Sequence, residues 1–386
     1  MSNKRVYLDY AATTPLDAGV LQKMLPFFSE DFGNPSSVHA WGQRAEGAIE
    51  AARVKIAKYL NAKPSEIIFT GCGTESDNLA IRGTAIAEQA SRGANRILTT
   101  PVEHDAVMHT VQQLKEYFGF DVEYLPVDKY GVVNPQDVKE RITPQTALVT
   151  VIYANNEIGS INPVAEIGAI CHAAGVAFHT DAVQAAAHLE IDVQKDAVDL
   201  LTIGAHKFYG PKGVGALYVR SGRRLMPAQT GGSQESGLRA GTQNVPYIVG
   251  MAEAFATSQD GLADEEKKLM PLRDPIISSV LANIPNAQLT GHPKQRSVNH
   301  ASFVFEGADG NRLLMLLDQH GFACSSGSAC KVGDPKPSEV LTSIGFSDNW
   351  ALGSLRVTLG KFTTQEDVES FLEVLPSLVE RARRQA

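Results

Sequence analysis

Short apolar runs alternate with helical patterns through the middle of the chain, and this alternation constrains the fold more than any other sequence feature. Seven of the runs are predicted to be strands, at residues 67–70, 96–99, 122–124, 147–153, 177–179, 200–203 and 216–219. Strands that are separated by helices usually form a parallel sheet with helices on both faces. We therefore expect an α/β protein with a mainly parallel seven-stranded sheet, whose functional loops gather at the carboxyl ends of the strands.

The length of 386 residues exceeds what one hydrophobic core usually serves, so two domains are expected. The pattern changes near residue 260, where an acidic, helix-prone segment precedes a region with fewer strands. We predict a large domain over residues 15–257 and a smaller α+β domain that combines residues 1–14 with residues 258–386.

Two helices near the N-terminus have recognisable starting signals. Pro15 suits the first turn of a helix, and Thr13 or Thr14 could cap it. A longer helix is predicted from about residue 38 to residue 60, because its apolar residues recur on one helical face.

The composition favours small-molecule chemistry. A net charge of −8 argues against a nucleic-acid surface or an anionic membrane as the main partner. No apolar run approaches the length of about 18 residues that a membrane span needs, so a soluble, cytoplasmic protein is expected. The chain has scattered cysteines and no CxxC or HExxH motif, which predicts neither a disulfide framework nor a metal site. They are Cys72, Cys171, Cys324 and Cys330.

Lys207 lies between two apolar runs within residues 199–218, DLLTIGAHKFYGPKGVGALY. An arbitrary lysine is usually a solvated surface group, but this position argues for partial burial. A partly desolvated amine has a pKa below about 10.4 and can form an imine at neutral pH. If Lys207 binds an aldehyde cofactor, the chain should also provide a phosphate cradle, a carboxylate for a pyridine nitrogen and a planar group over the ring.

A candidate phosphate cradle follows the first predicted strand of the sheet, where residues 71–78, GCGTESDN, open a helix. Small residues let backbone N–H groups approach an anion, and the helix dipole favours its negative charge. A dinucleotide fingerprint does not fit, because Ser76 occupies the third glycine position and no GK[ST] follows. An ordinary capped helix start is the alternative.

Three further residues could surround a pyridine ring. Asp181 follows a predicted strand and could hold the ring nitrogen protonated, although a helix N-cap is the alternative. Gln184 could hydrogen-bond the phenolic oxygen of the same ring. His104 could cover the ring or act as an acid or base, and the alternative is a polar residue satisfied by hydrogen bonds.

The motifs also have a characteristic order. Between LDYAATTP near the N-terminus and RVTLGKFTT at residues 356–364 they are GTESDNLA, VEH, NNEIG, DAVQ, AHKFYGPKG and GSAC. This pattern resembles the class I cysteine desulfurases, the NifS/IscS-like members of the class V aminotransferase superfamily. The resemblance implies the PLP-dependent transferase fold type I, a homodimer, and pyridoxal 5′-phosphate as the cofactor.

The resemblance also implies roles for individual residues. Lys207 resembles the lysine that binds the cofactor as an imine, His104 the stacking histidine and Asp181 the partner of the pyridinium nitrogen. The other cofactor-binding positions that it implies are Gly73, Thr74, Asn156, Gln184, Gly204, His206 and Thr242. Thr242 is expected to reach the phosphate across a dimer interface.

The implied substrate is L-cysteine. Asn156 and Arg356 match residues that bind its α-carboxylate, and Asn34 is assigned to the same substrate site. Cys330 matches the catalytic cysteine and closes the Ser/Gly-rich segment SSGSAC. A buried structural cysteine is the commoner role for an arbitrary sequence. Because a free thiol is mostly protonated at pH 7, Lys331 or His104 is expected to help ionise Cys330.

The implied reaction converts L-cysteine to L-alanine. Lys207 removes the Cα proton, and Cys330 accepts the sulfur as a persulfide. The sulfur then passes to an acceptor protein, either an iron–sulfur scaffold or a thiolation enzyme, with no direct contact to membrane or nucleic acid. The alternatives are a selenocysteine lyase on the same fold, or a cofactor-free scaffold or thiol-redox protein that uses Cys324 and Cys330.

Four positions depart from the family pattern or invite another role. Gly204 stands where relatives often carry a phosphate-binding serine. Ser233 and Ser236 replace a glycine and a basic residue, so contacts at those positions are left open. Cys324 could be a resolving thiol for Cys330, but a packed small side chain is the preferred interpretation.

Overall fold

The computed structural model describes residues 5–327 and 336–383 of the chain. Cys330 and Lys331 therefore lie outside the described residues. Within those ranges, none of the helices combines the length and the hydropathy that a membrane span requires.

Short strands and longer helices alternate along the chain. The strands are β1 (Val6–Tyr7), β2 (Ile67–Thr70), β3 (Arg96–Thr99), β4 (Asp121–Tyr124), β5 (Thr146–Thr150), β6 (Ala177–Asp181), β7 (Leu200–Gly204), β8 (Gly215–Val219), β9 (Ala287–Leu289), β10 (His300–Phe305), β11 (Phe322–Ala323) and β12 (Ser354–Thr358). The α-helices are α1 (Ala18–Met24), α2 (Pro26–Ser29), α3 (Ala40–Tyr59), α4 (Gly73–Arg92), α5 (Asp105–Phe118), α6 (Pro135–Arg141), α7 (Val164–Ala174), α8 (Ala185–His188), α9 (Val245–Asp260), α10 (Leu262–Asn283), α11 (Gly310–Gln319), α12 (Glu339–Ser343), α13 (Asp348–Ala351) and α14 (Gln365–Arg383).

The seven predicted strands of the central sheet are all present. Their spatial order is β2-β8-β7-β6-β5-β3-β4. β8 runs antiparallel to both of its neighbours, whereas β3 to β7 are parallel to one another. The prediction of a mainly parallel seven-stranded sheet is therefore confirmed.

Helices cover both faces of this sheet. Phe178 and Phe255 belong to the core on one face, and Leu148 and Val107 belong to the core on the other. The residues of the inner strands β5, β6 and β7 are buried throughout. Because both faces are covered, polar groups near the sheet can reach solvent only at the strand ends.

A second hydrophobic core lies around the antiparallel sheet β12-β10-β9 and the parallel pair β1–β11. Phe303 and Phe371 are fully buried in it, and it also contains Val6 and Leu8 from the start of the chain. The N-terminal segment thus packs with residues that follow it by about 300 positions. The domain boundaries given above, 15–257 and 1–14 with 258–386, stay a prediction.

The N-terminal helix does not begin at Pro15 as predicted. α1 begins at Ala18, where Asp17 accepts hydrogen bonds from two backbone N–H groups of the first turn. Thr14 instead contacts a distant turn, because its Oγ1 donates to the carbonyl of His206 (3.0 Å) and accepts from the N–H of Tyr209 (2.8 Å). The tertiary contact overrides the local capping preference, and it fastens the N-terminal segment to the turn that carries Lys207.

Candidate active site

An open cavity of about 300 Å³ lies at the carboxyl ends of the central strands. It is lined by Ala11, Ala12, Cys72, Gly73, Thr74, Asp77, His104, Ile152, Asn156, Asp181, Val183, Gln184, His206, Lys207 and Arg356. Nine of these residues were predicted from the sequence to bind cofactor or substrate. The sheet brings most of them together because its parallel strands end at the same edge, whereas Arg356 comes from β12 in the second sheet.

Lys207 ends a short 3₁₀ turn that follows β7. Its amine donates hydrogen bonds to the carbonyls of Ala11 (2.6 Å) and Ala12 (2.8 Å). Burial lowers the pKa of Lys207 to about 8, and the nearby charge of Arg356 contributes to the lowering. An amine with this pKa is partly unprotonated at neutral pH, so it can act as a nucleophile or a base.

The N-terminus of α4 fits a phosphate group. Cys72 is the N-cap residue, but its side chain makes no capping hydrogen bond, so the first N–H groups of this 20-residue helix are not satisfied by a side chain. A Cβ on Gly73 would lie 2.8 Å from Val183, so the cradle has room only for glycine there. Glu75 accepts hydrogen bonds from the N–H of Gly71 (2.7 Å) and from Arg239 (2.8 Å), which fixes the loop.

Two more predicted phosphate-site residues lie beside this helix start. Burial lowers the pKa of His206 to about 4, so its imidazole is neutral at pH 7, and its Nδ1 lies 3.2 Å from the hydroxyl of Thr13. A Cβ on Gly204 would lie 3.5 Å from Val183 and 3.7 Å from the nitrogen of Gly73, which is ordinary van der Waals contact. A Cβ at position 204 therefore fits beside the cradle without displacing a neighbouring atom.

Asp181 ends β6 and is 4% exposed. Its Oδ1 accepts a hydrogen bond from the N–H of Val183 (2.9 Å), so the capping interaction considered from the sequence is also made. Burial raises the pKa of Asp181, while His104 and Lys207 act in the opposite direction. A cationic ring nitrogen beside this carboxyl would favour its ionised form.

His104 is the N-cap of α5, and its Nδ1 accepts a hydrogen bond from the N–H of Ala106 (3.1 Å). A neutral His104 therefore carries its proton on Nε2. The ring is exposed, and one of its nitrogens lies within 4.8 Å of carboxylate oxygens of Asp77 and Asp181. The histidine thus has one nitrogen fixed by the backbone and a ring that remains accessible.

Asp77 is a cavity residue that the sequence analysis missed. It lies one turn inside α4, is 1% exposed, and one of its carboxylate oxygens makes no hydrogen bond with the described residues. Burial and the neighbouring Asp181 raise its pKa well above the ordinary value. A buried acidic residue on the sheet-facing side of a helix was the signal that could have found it, since an apolar residue is usual there.

Gln184 has a hydrogen-bond partner in the N-terminal segment. Its Nε2 donates to the carbonyl of Ala11 (2.8 Å), the same carbonyl that accepts from Lys207. The N-terminal segment therefore lies directly against two predicted cofactor residues.

Arg356, from β12, forms the opposite wall of the cavity. Its guanidinium donates to the carbonyl of Asn156 (3.0 Å) and forms an ion pair with Asp9 (3.0 Å). Asp9 also accepts a hydrogen bond from the hydroxyl of Ser325 (2.8 Å). These contacts hold the guanidinium in one orientation, and the sequence analysis missed Asp9 because its partner is 347 positions away.

Three of the predicted residues that the structure describes do not line the cavity, and they are Gly204, Asn34 and Thr242. Asn34 is exposed, and its side-chain oxygen accepts a hydrogen bond from the N–H of Ser36 (3.0 Å). Thr242 is also exposed. Ser233 and Ser236, the two departures from the family pattern, likewise lie away from the cavity and contribute to a different surface depression.

The environment of Cys324 bears on the role that was left open for it. Cys330 lies outside the described residues. Cys324 lies near Asp9 and Arg356, and burial followed by the charge of Asp9 raises its pKa well above the ordinary value. A thiol with a raised pKa forms little thiolate, so the environment of Cys324 favours the packed side chain over the resolving thiol.

Comparisons with known proteins agree with this geometry. The family model described as aminotransferase class-V matches residues 6–371. A relative from Clostridium botulinum named cysteine desulfurase IscS is 47% identical over 384 residues, which cover 99% of this chain and 96% of the relative.

Solved structures give the same result. A structure described as a NifS-like protein has a TM-score of 0.90 and 37% identity, and the match covers 98% of this chain and 100% of that one. A structure described as SspA in complex with cysteine has a TM-score of 0.80 and 35% identity, with 93% of this chain and 99% of that one covered. The PLP-dependent transferase fold is therefore confirmed, and the chain belongs to the cysteine desulfurases of the aminotransferase class-V family.

Proposed function

We propose that this protein is a pyridoxal phosphate-dependent cysteine desulfurase that converts L-cysteine to L-alanine. The substrate C–S bond breaks, its sulfur bonds to the Cys330 sulfur, and the products are alanine and a Cys330 persulfide. The observation that carries the proposal is one cavity that holds a lysine with a lowered pKa, a buried carboxyl at a strand end and an uncapped helix N-terminus. The names of its relatives support the same activity.

The residues present fit pyridoxal phosphate. The N–H groups at Gly73 and Thr74, with neutral His206, would bind the phosphate. Asp181 would hold the ring nitrogen in its protonated form, and the ring of His104 would lie against the cofactor. When bound, the cofactor supplies the electron sink that makes the Cα–H bond of the substrate acidic.

Lys207 would move the Cα proton. With a pKa of about 8, about a tenth of the amine is unprotonated at pH 7, which is enough for it to act as a base. The carbonyls of Ala11 and Ala12 accept hydrogen bonds from the amine and limit its orientations.

Arg356 would bind the α-carboxylate of cysteine. A guanidinium offers a planar fork that matches two carboxylate oxygens, and here the fork is oriented by Asp9 and by the carbonyl of Asn156. Arg356 also pairs through its backbone with Ser325 (2.7 Å), five positions before Cys330. This pairing supports the proposal that the cysteine-bearing stretch starts beside the bound substrate.

The proposed assembly is a homodimer. Asn34 and Thr242 are exposed and do not line the cavity of their own chain, which is what residues that serve the cavity of a second copy would require. The proposed acceptor of the sulfur is an iron–sulfur scaffold or a thiolation enzyme. A cytoplasmic location is also proposed, since Cys72, Cys171 and Cys324 are free thiols.

Sulfide release by the Cys330→Ala holoenzyme tests the proposed function. We expect the variant to keep its cofactor absorbance and to lose sulfide release from L-cysteine in the presence of a thiol reductant. Cys171→Ala, which changes a cysteine in the core of the large sheet, should keep the activity. Sulfide release by Cys330→Ala at the wild-type rate would contradict the proposal, and faster turnover of selenocysteine than of cysteine would indicate a selenocysteine lyase.

A further inference from the structure

Glu157 contacts one residue on each side of the stretch that contains Cys330. Its Oε2 accepts a hydrogen bond from the hydroxyl of Ser338 (2.5 Å). A Cβ on Gly327 would lie only 2.6 Å from the same oxygen, so the backbone of Gly327 packs directly against this carboxyl group. One carboxyl group therefore joins Gly327 to Ser338, which flank residues 328–337 in the sequence.

The turn that carries Glu157 is held firmly in place. Asn155 accepts hydrogen bonds from the N–H groups of Glu157 (2.8 Å) and Ile158 (3.0 Å), and it donates to the carbonyl of Val102 (2.8 Å). The hydroxyl of Ser302 donates to the carbonyl of Glu157 (2.8 Å). The backbone at Glu157 is therefore fixed on both sides. From this position the carboxyl group contacts Gly327 and Ser338.

The surroundings of Glu157 act on its ionisation in both directions. Burial raises the pKa of Glu157 to about 7, and nearby Asp105 and Glu339 also disfavour ionisation. The hydroxyl of Ser338 and the charge of Arg356 favour the ionised form. Both forms are therefore populated near neutral pH.

This carboxyl group lowers the stability of the folded protein at and above neutral pH. The unfolded chain releases the proton near pH 4.5, whereas the folded chain keeps it to about pH 7. The folded state binds more protons in that interval, so its stability falls as the pH rises from about 4.5 to about 7. A group that costs stability at working pH is a candidate for a functional role, because stability and activity often conflict at such sites.

We propose that Glu157 is a positioning residue for the transfer of sulfur: its carboxylate holds Gly327 and Ser338 together beside Arg356. The inference rests on the proposed function, since it takes the transfer to Cys330 as the step that depends on this position. Glu157 itself does not line the cavity, so it acts through the residues it holds.

Glu66 provides a matched control. It also accepts a hydrogen bond from a serine, Ser221 (2.6 Å), and it does not line the cavity. In spite of burial, hydrogen bonds from Ser221 and from the N–H of Lys63 lower its pKa, so this carboxylate stabilises the fold. Both glutamates accept a hydrogen bond from a serine. Of the two, Glu157 lowers the free energy of unfolding at neutral pH, whereas Glu66 raises it.

Glu157→Gln and Glu66→Gln holoenzymes separate a positioning role from a structural one. For Glu157→Gln we expect kcat for sulfide release to fall about 10-fold or more, because small displacements of reacting groups have large effects on rate. We expect KM for cysteine to stay unchanged and Tm at pH 8 to equal or exceed that of the wild type. The part of the pH dependence of kcat that has its midpoint near 7 should disappear, while the part due to Lys207 near pH 8 should remain. Glu66→Gln should keep kcat and have a lower Tm.

Gly327→Ala perturbs the same contact from the other side. Its Cβ would displace the carboxyl group from Ser338, so we expect a loss of kcat similar to that of Glu157→Gln. The double variant should be no slower than either single variant, since both remove one interaction.

Two results would overturn the inference. Glu157→Gln could release sulfide at the wild-type rate with the wild-type pH profile, or it could lose kcat and Tm together in proportion. If the wild-type enzyme released no sulfide from cysteine, the proposed function would fail, and the inference would fail with it. A wild-type enzyme that releases sulfide beside an unaffected variant would reject the inference alone.

Discussion

The two walls of the cavity are built in different ways. The proposed cofactor side, formed by Gly73, Asp181, Gln184, His206 and Lys207, lies at or just after the ends of strands of one sheet. The proposed substrate side is lined by Asn156 and Arg356, and Asp9 pairs with Arg356 behind the wall. These residues come from the beginning, the middle and the end of the chain. The first side is built mainly from one sheet, to which the carbonyls of Ala11 and Ala12 add hydrogen bonds from the N-terminal segment. The second side is built from pairwise contacts between distant segments.

This difference predicts different sensitivities. On the proposed cofactor side, backbone N–H groups and individual buried side chains would each make a separate contact with the cofactor. A substitution there should therefore remove one contact and leave the other residues of that side in place. On the substrate side, Arg356 contacts three segments at once, so a substitution there should alter several properties together. The experiments below test that expectation.

Lys207→Ala should have the largest effect. We expect sulfide release to fall by about 10³-fold or more, because the base that moves the Cα proton is removed. The measurement is sulfide release, with a cofactor spectrum that lacks the band due to covalent attachment. Lys212→Ala, an exposed lysine in the adjacent hairpin, should keep both properties; near-normal release by Lys207→Ala would remove this lysine from the mechanism.

Arg356→Lys should raise KM for cysteine by about 10- to 100-fold, since charge-assisted hydrogen bonds to the α-carboxylate are weakened. Cofactor content should be unchanged, because the phosphate cradle lies on the other wall. Arg44→Lys, at an exposed ion pair, should keep the wild-type KM. An unchanged KM in Arg356→Lys would place the carboxylate elsewhere.

The pKa of Lys207 should depend on the substrate side. The rate at which the cofactor-free protein recaptures pyridoxal phosphate should rise with pH around a midpoint near 8, since only the unprotonated amine attacks the aldehyde. Arg356→Gln removes a charge that lowers this pKa, so the midpoint should rise, and Asp9→Asn should lower it, each by about one pH unit or less. If both variants kept the wild-type midpoint, the charges of Arg356 and Asp9 would have no effect on the pKa of Lys207.

Gly204→Ser should have the smallest effect. A Cβ at position 204 makes only ordinary contacts beside the N–H of Gly73, so an added hydroxyl should tighten the binding of pyridoxal phosphate by about 2- to 10-fold. Gly204→Ala, which adds the methylene carbon alone, is the matched control, and both affinities can be measured by equilibrium dialysis. Weaker binding by the serine variant than by the alanine variant would contradict the prediction.

The cofactor side could be predicted from the sequence because its signals are local. Gly73 opens a helix after β2, Asp181 ends β6, and Lys207 follows β7, so strand periodicity alone places them at one edge of the sheet. The helix predicted over residues 38–60 also agrees with α3, Ala40–Tyr59. Periodicity and the order of motifs carry this information without any knowledge of distant contacts.

The contacts of the substrate side could not be predicted, because no local pattern encodes them. Asp9 is an ordinary acidic residue until Arg356 is placed beside it, and Thr14 resembles a helix cap until its bonds to the Lys207 turn are seen. Glu157 belongs to the NNEIG motif, but the sequence alone predicted no role for it. In each case the partner lies more than 150 positions away in the chain, where spacing has no predictive value.

The position of the first residues has a consequence for biosynthesis. Val6 and Leu8 are buried in a core whose other members come from the last third of the chain. The large sheet can fold while the ribosome is still translating the remainder, but the first strand must wait for β11, and Asp9 must wait for β12. Val6, Leu8 and Asp9 can therefore make their native contacts only after the last third of the chain has been synthesised.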